Sequence, residues 1–294
     1  MPGDQKLRRR EGGADPVSRR RHPRGDGARV GRPLWTQEGV TEFAGCAVTP
    51  WSLHELLAAL EQCWACGERG VRVGHHNLNS LVWSHSNPVV RAFYRGCRLC
   101  YIDGLPVVWI IRLAGLDTHG AKRVTLMHAL PELLDWLACT GRSLFYLGGS
   151  PDAVASGRAW IAREWPQLRA ELHHGFFRDD LKVLERINFF RPDVLLVGMG
   201  MPRQEIWIQT HSERLDAGAV LQAGCTLDYY TGLQPRPPVV FSRIGMGWLY
   251  RLVRNPRRLW RRYLIEPWAL AKPFLRMRRA LVAKPESGGG AIDN

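Results

Sequence analysis

Long apolar runs are missing from this sequence. None of its 294 residues belongs to an uninterrupted apolar stretch of eighteen or more, so no membrane-spanning helix is predicted. Residues 1–40 are rich in arginine, glycine and proline and lack the apolar centre of a secretory signal, so export is not expected. The seven cysteines are an odd number and show no small-domain disulfide framework. We therefore expect a protein of the reducing cytoplasm.

Signals of a metal site are also scarce. Two Cys-x-x-Cys pairs begin at Cys63 and Cys97, but they lie further apart than the about 15–20 residues typical of a zinc ribbon. Buried free cysteines are the expected outcome, with zinc as the less favoured alternative. His173 and His174 are adjacent, and successive side chains of an extended segment point apart, so a structural turn is favoured over a metal site. We predict no metal ligands.

Negative charge is in short supply. The chain has 27 acidic against 41 basic side chains and a formal net charge of +14, with much of the excess in residues 1–40 and after Pro235. Such asymmetry indicates an anionic partner, which could be a membrane surface, a nucleic acid or a phosphate-bearing substrate. No recognisable nucleic-acid-binding module is present, so nucleic acid is not predicted. Residues 1–40 are predicted to be a disordered basic tail.

Two polar turns follow two predicted strands near the start of the folded region. The strand at 71–74 leads into a polar turn that contains Asn77, and after a helix the strand at 98–102 leads into Asp103-Gly104. Because the carboxyl ends of parallel strands meet at one edge of a sheet, Asn77 and Asp103 should face the same crevice. Asp-Gly by itself is also ordinary turn chemistry.

Glycines and polar residues follow three further predicted strands: Gly148, Gly149, Gly198, Gly200, Gln204 and Asp228. Glycines between a strand and a helix N-terminus can bind phosphate, although a tight turn explains them equally well. No G-x-G-x-x-G pattern accompanies the first pair, so a dinucleotide site is not predicted. Gln204 can hydrogen-bond a base or sugar from the start of its helix, whereas Glu205 beside it favours the helix N-terminus. Asp228 can bind ribose hydroxyls or cap a helix.

The segment 241–283 alternates aromatic and apolar residues with arginine. The apolar members recur at three- and four-residue steps: Trp248, Leu249, Leu252, Leu259, Trp260, Tyr263 and Leu264. Pro256 is predicted to separate two short helices. One apolar and one cationic face suit a helix in the interface of an anionic membrane, where each arginine contributes about 1 kcal/mol. A helical lid packed on the domain is the alternative, and both can hold together.

Six sequence blocks occur in a fixed order: Asn77, Asp103-Gly104, Arg123-Val124-Thr125, Leu147-Gly148-Gly149, Gly198 to Glu205, and Gly224 with Asp228 ahead of Arg236-Pro237 and the arginine-rich segment. Over about 71–264 the chain thereby resembles the WecG/TagA/CpsF family of bacterial glycosyltransferases, glycosyltransferase family 26. The resemblance implies an α/β fold, with a Rossmann-like open, mostly parallel sheet flanked by helices and a C-terminal basic-aromatic helical appendage. The predicted parts are a tail at 1–40, a core at 41–240, the appendage at 241–283 and a disordered tail at 284–294.

The resemblance also implies an activity. Members transfer a sugar from a UDP-sugar to a polyprenyl-diphosphate-linked saccharide on the inner face of the bacterial plasma membrane, in cell-surface or exopolysaccharide synthesis. We expect an inverting, metal-independent transferase without a cofactor, since no Asp-x-Asp motif is present to hold a metal. Asp103 is the expected general base, with Asn77 and His75 lining the same pocket and His75 as an alternative base. The positive charge opposite the diphosphate is expected from a set of arginines: Arg123, Arg251, Arg254, Arg257 and Arg258.

The sequence departs from the family pattern near the expected sugar pocket. His75 stands in place of threonine, Leu126 and His128 in place of glycine and aspartate, and Gly247 in place of glutamate. The donor sugar therefore stays open among N-acetylmannosamine, its uronic acid and glucose. The competing hypothesis is a catalytically degenerate nucleotide-binding or nucleic-acid-binding protein. Whether the chain forms a homo-oligomer is left open.

Overall fold

The structure, a computed structural model, describes residues 41–43, 46–49, 51–113, 123–238, 241, 245–272, 274–275 and 279. The predicted tails at 1–40 and 284–294 lie outside these residues. The strands are β1 Thr41–Phe43, β2 Cys46–Val48, β3 Val71–His76, β4 Leu99–Ile102, β5 Leu144–Gly148, β6 Ala170–His173, β7 Val194–Gly198 and β8 Ala219–Gln222.

Helices alternate with these strands along most of the described chain. They are α1 Leu53–Ala65, α2 Leu78–Ser86, α3 Pro88–Arg95, α4 Leu105–Leu113, α5 Leu126–Cys139, α6 Pro151–Glu164, α7 Asp180–Phe190, α8 Arg203–His211, α9 Thr226–Tyr230, α10 Gly247–Arg254 and α11 Pro256–Trp260. A π-helical segment, Arg261–Ile265, and a 3₁₀ segment, Glu266–Leu270, follow. No helix in the described part of the chain is long and apolar enough to cross a bilayer.

Six strands form one parallel sheet in the order β4-β3-β8-β7-β5-β6, and β1 pairs with β2 in a separate antiparallel hairpin. The apolar strands explain why both faces are covered. In β5, Leu144 and Tyr146 pack into the core on one face, whereas Phe145 and Leu147 pack into the core on the other. Continuous burial of this kind is typical of parallel strands between two helical layers. The predicted Rossmann-like fold class is confirmed.

The sheet contains a point where connections leave in opposite directions. From β5 the chain passes through α6 outward to β6, and from the neighbouring β7 it passes through α8 inward to β8. In open α/β sheets, ligands bind in the crevice outside the carboxyl ends of such strands. The same edge receives the turns after β3 and β4, so the fold gathers the predicted polar turns along one side.

Prolines set two of the helix boundaries. The sequence predicts one helix between β3 and β4, but two are present, because Pro88 lacks the N–H that a continuous helix needs and begins α3 instead. Asn87 caps the new helix by accepting hydrogen bonds from the backbone of Val89 and Val90. The predicted break at Pro256 is confirmed, since α10 ends at Arg254 and α11 begins at Pro256.

Candidate active site

Asn77 occupies the turn between β3 and α2 and uses both ends of its side chain. Its Oδ1 accepts a hydrogen bond from the Ser80 backbone N–H at 3.1 Å and so caps α2. Its Nδ2 donates to Asp103 Oδ2 at 3.4 Å. Helix capping therefore fixes the amide with its nitrogen toward Asp103, and the two polar turns meet as the strand order predicts.

Asp103 is held by its backbone and leaves its carboxylate accessible. Its N–H donates to the His76 carbonyl at 2.9 Å, and its carbonyl accepts from Thr125 Oγ1 at 3.3 Å. The side chain is 24% exposed and lines a cavity of about 350 Å³. A carboxylate on a fixed backbone at the wall of an open cavity can accept a proton from a bound hydroxyl group.

His75 does not line this cavity, contrary to the sequence prediction. Strand β3 continues through His75 and His76, and the His75 ring lies against Tyr101 with 5.6 Å between the ring centroids. Its Nε2 is 3.9 Å from Asp103 Oδ2, so it lies behind the carboxylate. Burial lowers the pKa of His75, an effect that Asp103 opposes. A buried imidazole that does not line the cavity has no access to an acceptor hydroxyl, so we assign His75 no base role.

Three arginines line the same cavity as Asp103: Arg123, Arg251 and Arg262. The Arg251 guanidinium stacks on Tyr229, 5.5 Å from the ring centroid, and donates to Met127 Sδ at 3.6 Å. The buried Nε atoms of Arg251 and Arg262 have no hydrogen-bond partner among the described residues. Partly buried guanidinium groups in a cavity wall suit an anionic ligand.

The structure divides the predicted C-terminal arginines. Arg251 lines the cavity, whereas Arg254 and Arg257 are exposed and do not, and the side chain of Arg258 lies outside the described part of the molecule. Arg262 takes a place that the sequence prediction did not give it. It belongs to the π-helical segment Arg261–Ile265, beyond the break at Pro256, so a helical period counted from Arg251 could not place it.

Aromatic side chains also line the cavity and were missed by the sequence prediction: Trp109 from α4, Trp248 from α10, and Tyr263 from the π-helical segment. Two of the three belong to the C-terminal segment, which therefore forms one wall of the site. Gly247 lies on the same wall. The helical spacing of apolar residues in the C-terminal segment could have shown that this segment packs on the domain, but it could not show on which surface.

His128 lines the cavity, whereas Leu126 does not. Leu126 is buried in the core at the start of α5, so it offers no polar group to a ligand. His128 is exposed and lines the cavity. Partial burial lowers its pKa, and the nearby guanidinium groups, Arg123 first among them, lower it further. At neutral pH His128 is therefore uncharged where the family pattern has an aspartate.

The glycine turns and Asp228 gather further along the same sheet edge and do not line the cavity. A Cβ atom on Gly148 would lie 2.3 Å from the Gly198 carbonyl oxygen, and one on Gly198 would lie 2.2 Å from Tyr146 Oη, so both positions need glycine. Asp228 adjoins Gly149, whose added Cβ would meet its Oδ1 at 3.5 Å. Gly149 and Gly200 have φ angles of +67° and +79°. This edge combines the partly exposed glycines Gly149 and Gly200 with the N-terminus of α6, which is capped by Ser150.

Gln204 is fully buried, so the structure corrects the predicted ligand contact. Its Nε2 donates to Glu205 Oε1 at 2.9 Å, and its Oε1 accepts from the Gly224 N–H at 3.0 Å. Both ends of the amide are thus engaged inside the protein. Gln204 braces the turn after β8 and has no face toward the crevice.

The cysteine and histidine pairs form no metal centre in the described part of the chain, where no group of three or more potential ligands comes together. Cys63 is a buried free thiol, and Cys100 is buried. Burial is the main cause that raises the pKa of Cys63 to about 11. His173 Nδ1 lies 2.8 Å from the His174 carbonyl oxygen, a local turn contact.

Comparison with known proteins gives the same family as the sequence blocks. The model of the glycosyl transferase WecG/TagA/CpsF family matches residues 41–283. N-acetylglucosaminyldiphosphoundecaprenol N-acetyl-beta-D-mannosaminyltransferase from Staphylococcus aureus strain MW2 is 29% identical over 142 residues, and the one from strain MRSA252 is 28% identical over the same length. The match covers 48% of this chain and 56% of each relative. The chain belongs to the glycosyl transferase WecG/TagA/CpsF family.

Proposed function

We propose that this protein is an inverting glycosyltransferase that moves a sugar from a UDP-sugar to a polyprenyl-diphosphate-linked saccharide. The observation that carries the proposal is the composition of the cavity, which the Asp103 carboxylate, held beside Asn77, lines together with three arginines. A base for the acceptor and positive charge for the leaving group are the two requirements of such a transfer. The names of the relatives support an N-acetylglucosaminyl diphosphate lipid as acceptor.

The reaction follows from these roles. The acceptor hydroxyl oxygen attacks the anomeric carbon of the donor sugar while Asp103 takes the hydroxyl proton. The bond from the anomeric carbon to the diphosphate breaks on the opposite face, which inverts the configuration and releases UDP. Arg123, Arg251 and Arg262 offset the negative charge that develops on the departing diphosphate. The glycine turns and Asp228 offer the adjoining part of the edge for the nucleoside.

Donor binding provides the first test of this proposal. Because arginines supply the positive charge and the sequence has no Asp-x-Asp motif, UDP should bind in excess chelator with a Kd of micromolar order, roughly −8 kcal/mol. Calorimetric titration should give the same Kd, within about threefold, when magnesium replaces the chelator. Binding that appears only with magnesium would contradict the metal-independent mechanism, and no binding under either condition would contradict the donor assignment.

Membrane attachment is the second part of the proposal, since the acceptor is lipid-linked. The C-terminal segment exposes Trp268 at 77%, Leu264 at 52% and Trp260 at 49%. Exposed arginines accompany them: Arg254, Arg257 and Arg261. Apolar side chains beside cations suit the interface of an anionic bilayer. We propose a peripheral protein on the inner face of the plasma membrane.

The protein should pellet with vesicles that contain phosphatidylglycerol and remain in solution with phosphatidylcholine alone. The double substitution Leu264→Ser with Trp268→Ser should cut the bound fraction at least about fivefold, because it removes apolar area from the interface. Phe189→Ser is the matched control, since Phe189 is 93% exposed on α7, and it should leave binding unchanged. Equal pelleting of all three proteins, or none at moderate salt, would contradict attachment through this segment.

A further inference from the structure

A buried polar network lies directly behind the candidate active site. Strands β3 and β8 pair in register only as far as Val73 and Leu221. Beyond that point the Gln222 side chain continues the contact between the strands, because its Oε1 accepts the His75 N–H at 2.8 Å. One amide side chain thus bridges the two strands at the edge where the crevice opens.

Tyr94 bonds the other backbone polar group of His75. Its hydroxyl donates to the His75 carbonyl at 3.2 Å and accepts from Gln222 Nε2 at 3.0 Å. The His76 ring stacks on Tyr94 with 4.4 Å between centroids. Both backbone polar groups of His75 are therefore bonded to side chains that also bond each other. Asn77 follows two residues after His75, and the Asp103 N–H donates to the carbonyl of the intervening His76. The turn after β3 therefore sets the position of Asp103, the proposed base.

Glu205 orients the bridging amide from behind. The second N–H of Gln222 donates to Glu205 Oε1, which also accepts from Gln204 Nε2. Gln222 and Glu205 are each 1% exposed, and Glu205 Oε2 has no hydrogen-bond partner among the described residues. A carboxyl group is costly in such a place, and burial raises the pKa of Glu205 to about 7. Because the Glu205 carboxyl oxygen accepts a hydrogen bond from the Gln222 nitrogen, the Gln222 oxygen is oriented toward the His75 N–H.

We propose that Gln222 is a positioning residue for the transfer. It fixes the turn between β3 and α2, which contains Asn77 and contacts Asp103, and the carboxyl group of Glu205 fixes the orientation of the Gln222 amide. This inference rests on the proposed function, because the base it positions is the one assigned there. Through Gln204 the same network reaches the Gly224 N–H, so it also ties the β3 turn to the turn after β8. Gln222 touches no substrate and acts through the backbone of His75.

An exchange of the two side chains tests this assignment. Gln222→Glu alone places a second carboxyl group against that of Glu205 and removes the N–H donor between them. Gln222→Leu removes every hydrogen bond of the Gln222 side chain, including the one to the His75 N–H. Both should lower kcat by about 10- to 100-fold, because small displacements of a reacting group are costly, while the Kd for UDP changes less than about threefold. Gln222→Glu combined with Glu205→Gln restores a donor and an acceptor between these positions and keeps an acceptor for His75, so kcat should return to within about fivefold.

Gln209→Leu is the matched control, since Gln209 lies on the same helix as Glu205 but its side chain accepts a hydrogen bond from Arg72, outside the network, and it should leave kcat unchanged. Hydrogen exchange of the His75 amide gives a readout that does not need transfer. It should quicken at least about tenfold in Gln222→Leu and recover in the exchanged pair. If Gln222→Leu does not fold, the single Gln222→Glu variant and the exchanged pair decide. Full activity in Gln222→Glu, or no recovery in the pair, would overturn the positioning role, whatever the outcome of the donor titration.

Discussion

Asp103→Asn should slow sugar transfer by about 10²- to 10⁴-fold, the usual contribution of a general base. The substitution keeps the shape of the side chain and its place beside Asn77, but the amide cannot take a proton from the acceptor hydroxyl. The loss should appear in kcat, whereas the Kd for UDP should stay within about threefold. Single-turnover transfer with donor and acceptor bound is the measurement, because it separates chemistry from product release.

Glu185→Gln is the control for that experiment. Glu185 is an exposed acidic residue within α7 and does not line the cavity. Its replacement should leave the single-turnover rate unchanged. Wild-type turnover in Asp103→Asn would show that another group takes the proton and would remove Asp103 from the mechanism.

Arg251→Ala should lower turnover by about 10²- to 10³-fold, comparable with the loss of a donor that stabilises transition-state charge. The guanidinium lies in the cavity wall, where its charge can offset the negative charge that develops on a departing diphosphate. UDP should also bind more weakly, because the product carries the same charge. Turnover and calorimetric UDP binding together measure the two effects.

Arg254→Ala provides the comparison within the same helix. Arg254 lies three residues later, is exposed and stacks on Tyr250, with its guanidinium carbon 5.5 Å from the ring centroid. Its loss should leave UDP binding unchanged and weaken only the attachment to anionic vesicles, by about 1 kcal/mol. If the two substitutions had equal effects on turnover, the C-terminal arginines would act through the membrane alone and not through the cavity.

The placement of Asn77 and Asp103 could be predicted because it follows from the edge rule for parallel strands and needs no side-chain detail. Apolar strands that alternate with amphipathic helices indicate a parallel sheet, and consecutive strands then present their turns on one side. The hydrogen bond from Asn77 to Asp103 is the direct consequence. The helix break at Pro256 was equally local, since proline cannot continue a backbone hydrogen-bond ladder.

His75 and Gln204 could not be placed from the sequence because their burial depends on partners far along the chain. Two histidines after Gly74 look like a polar turn, but Tyr101 and Tyr94 cover their rings and the strand continues through them. Gln204 opens a helix, as a ligand-binding residue would, yet its amide is engaged by Gly224. Polar residues in a buried network carry no pattern that distinguishes them from residues of an open site.

The most direct test of the account is transfer itself, measured in excess chelator with a short-chain N-acetylglucosaminyl diphosphate lipid. UDP-N-acetylmannosamine, its uronic acid and UDP-glucose are offered separately, and the products are analysed by mass and anomeric configuration. We predict that one donor class gives a product of inverted configuration with the wild-type protein. Asp103→Asn should form product at least about 10²-fold more slowly. UDP binding without product from any of the three donors, or a product of retained configuration, would contradict the account.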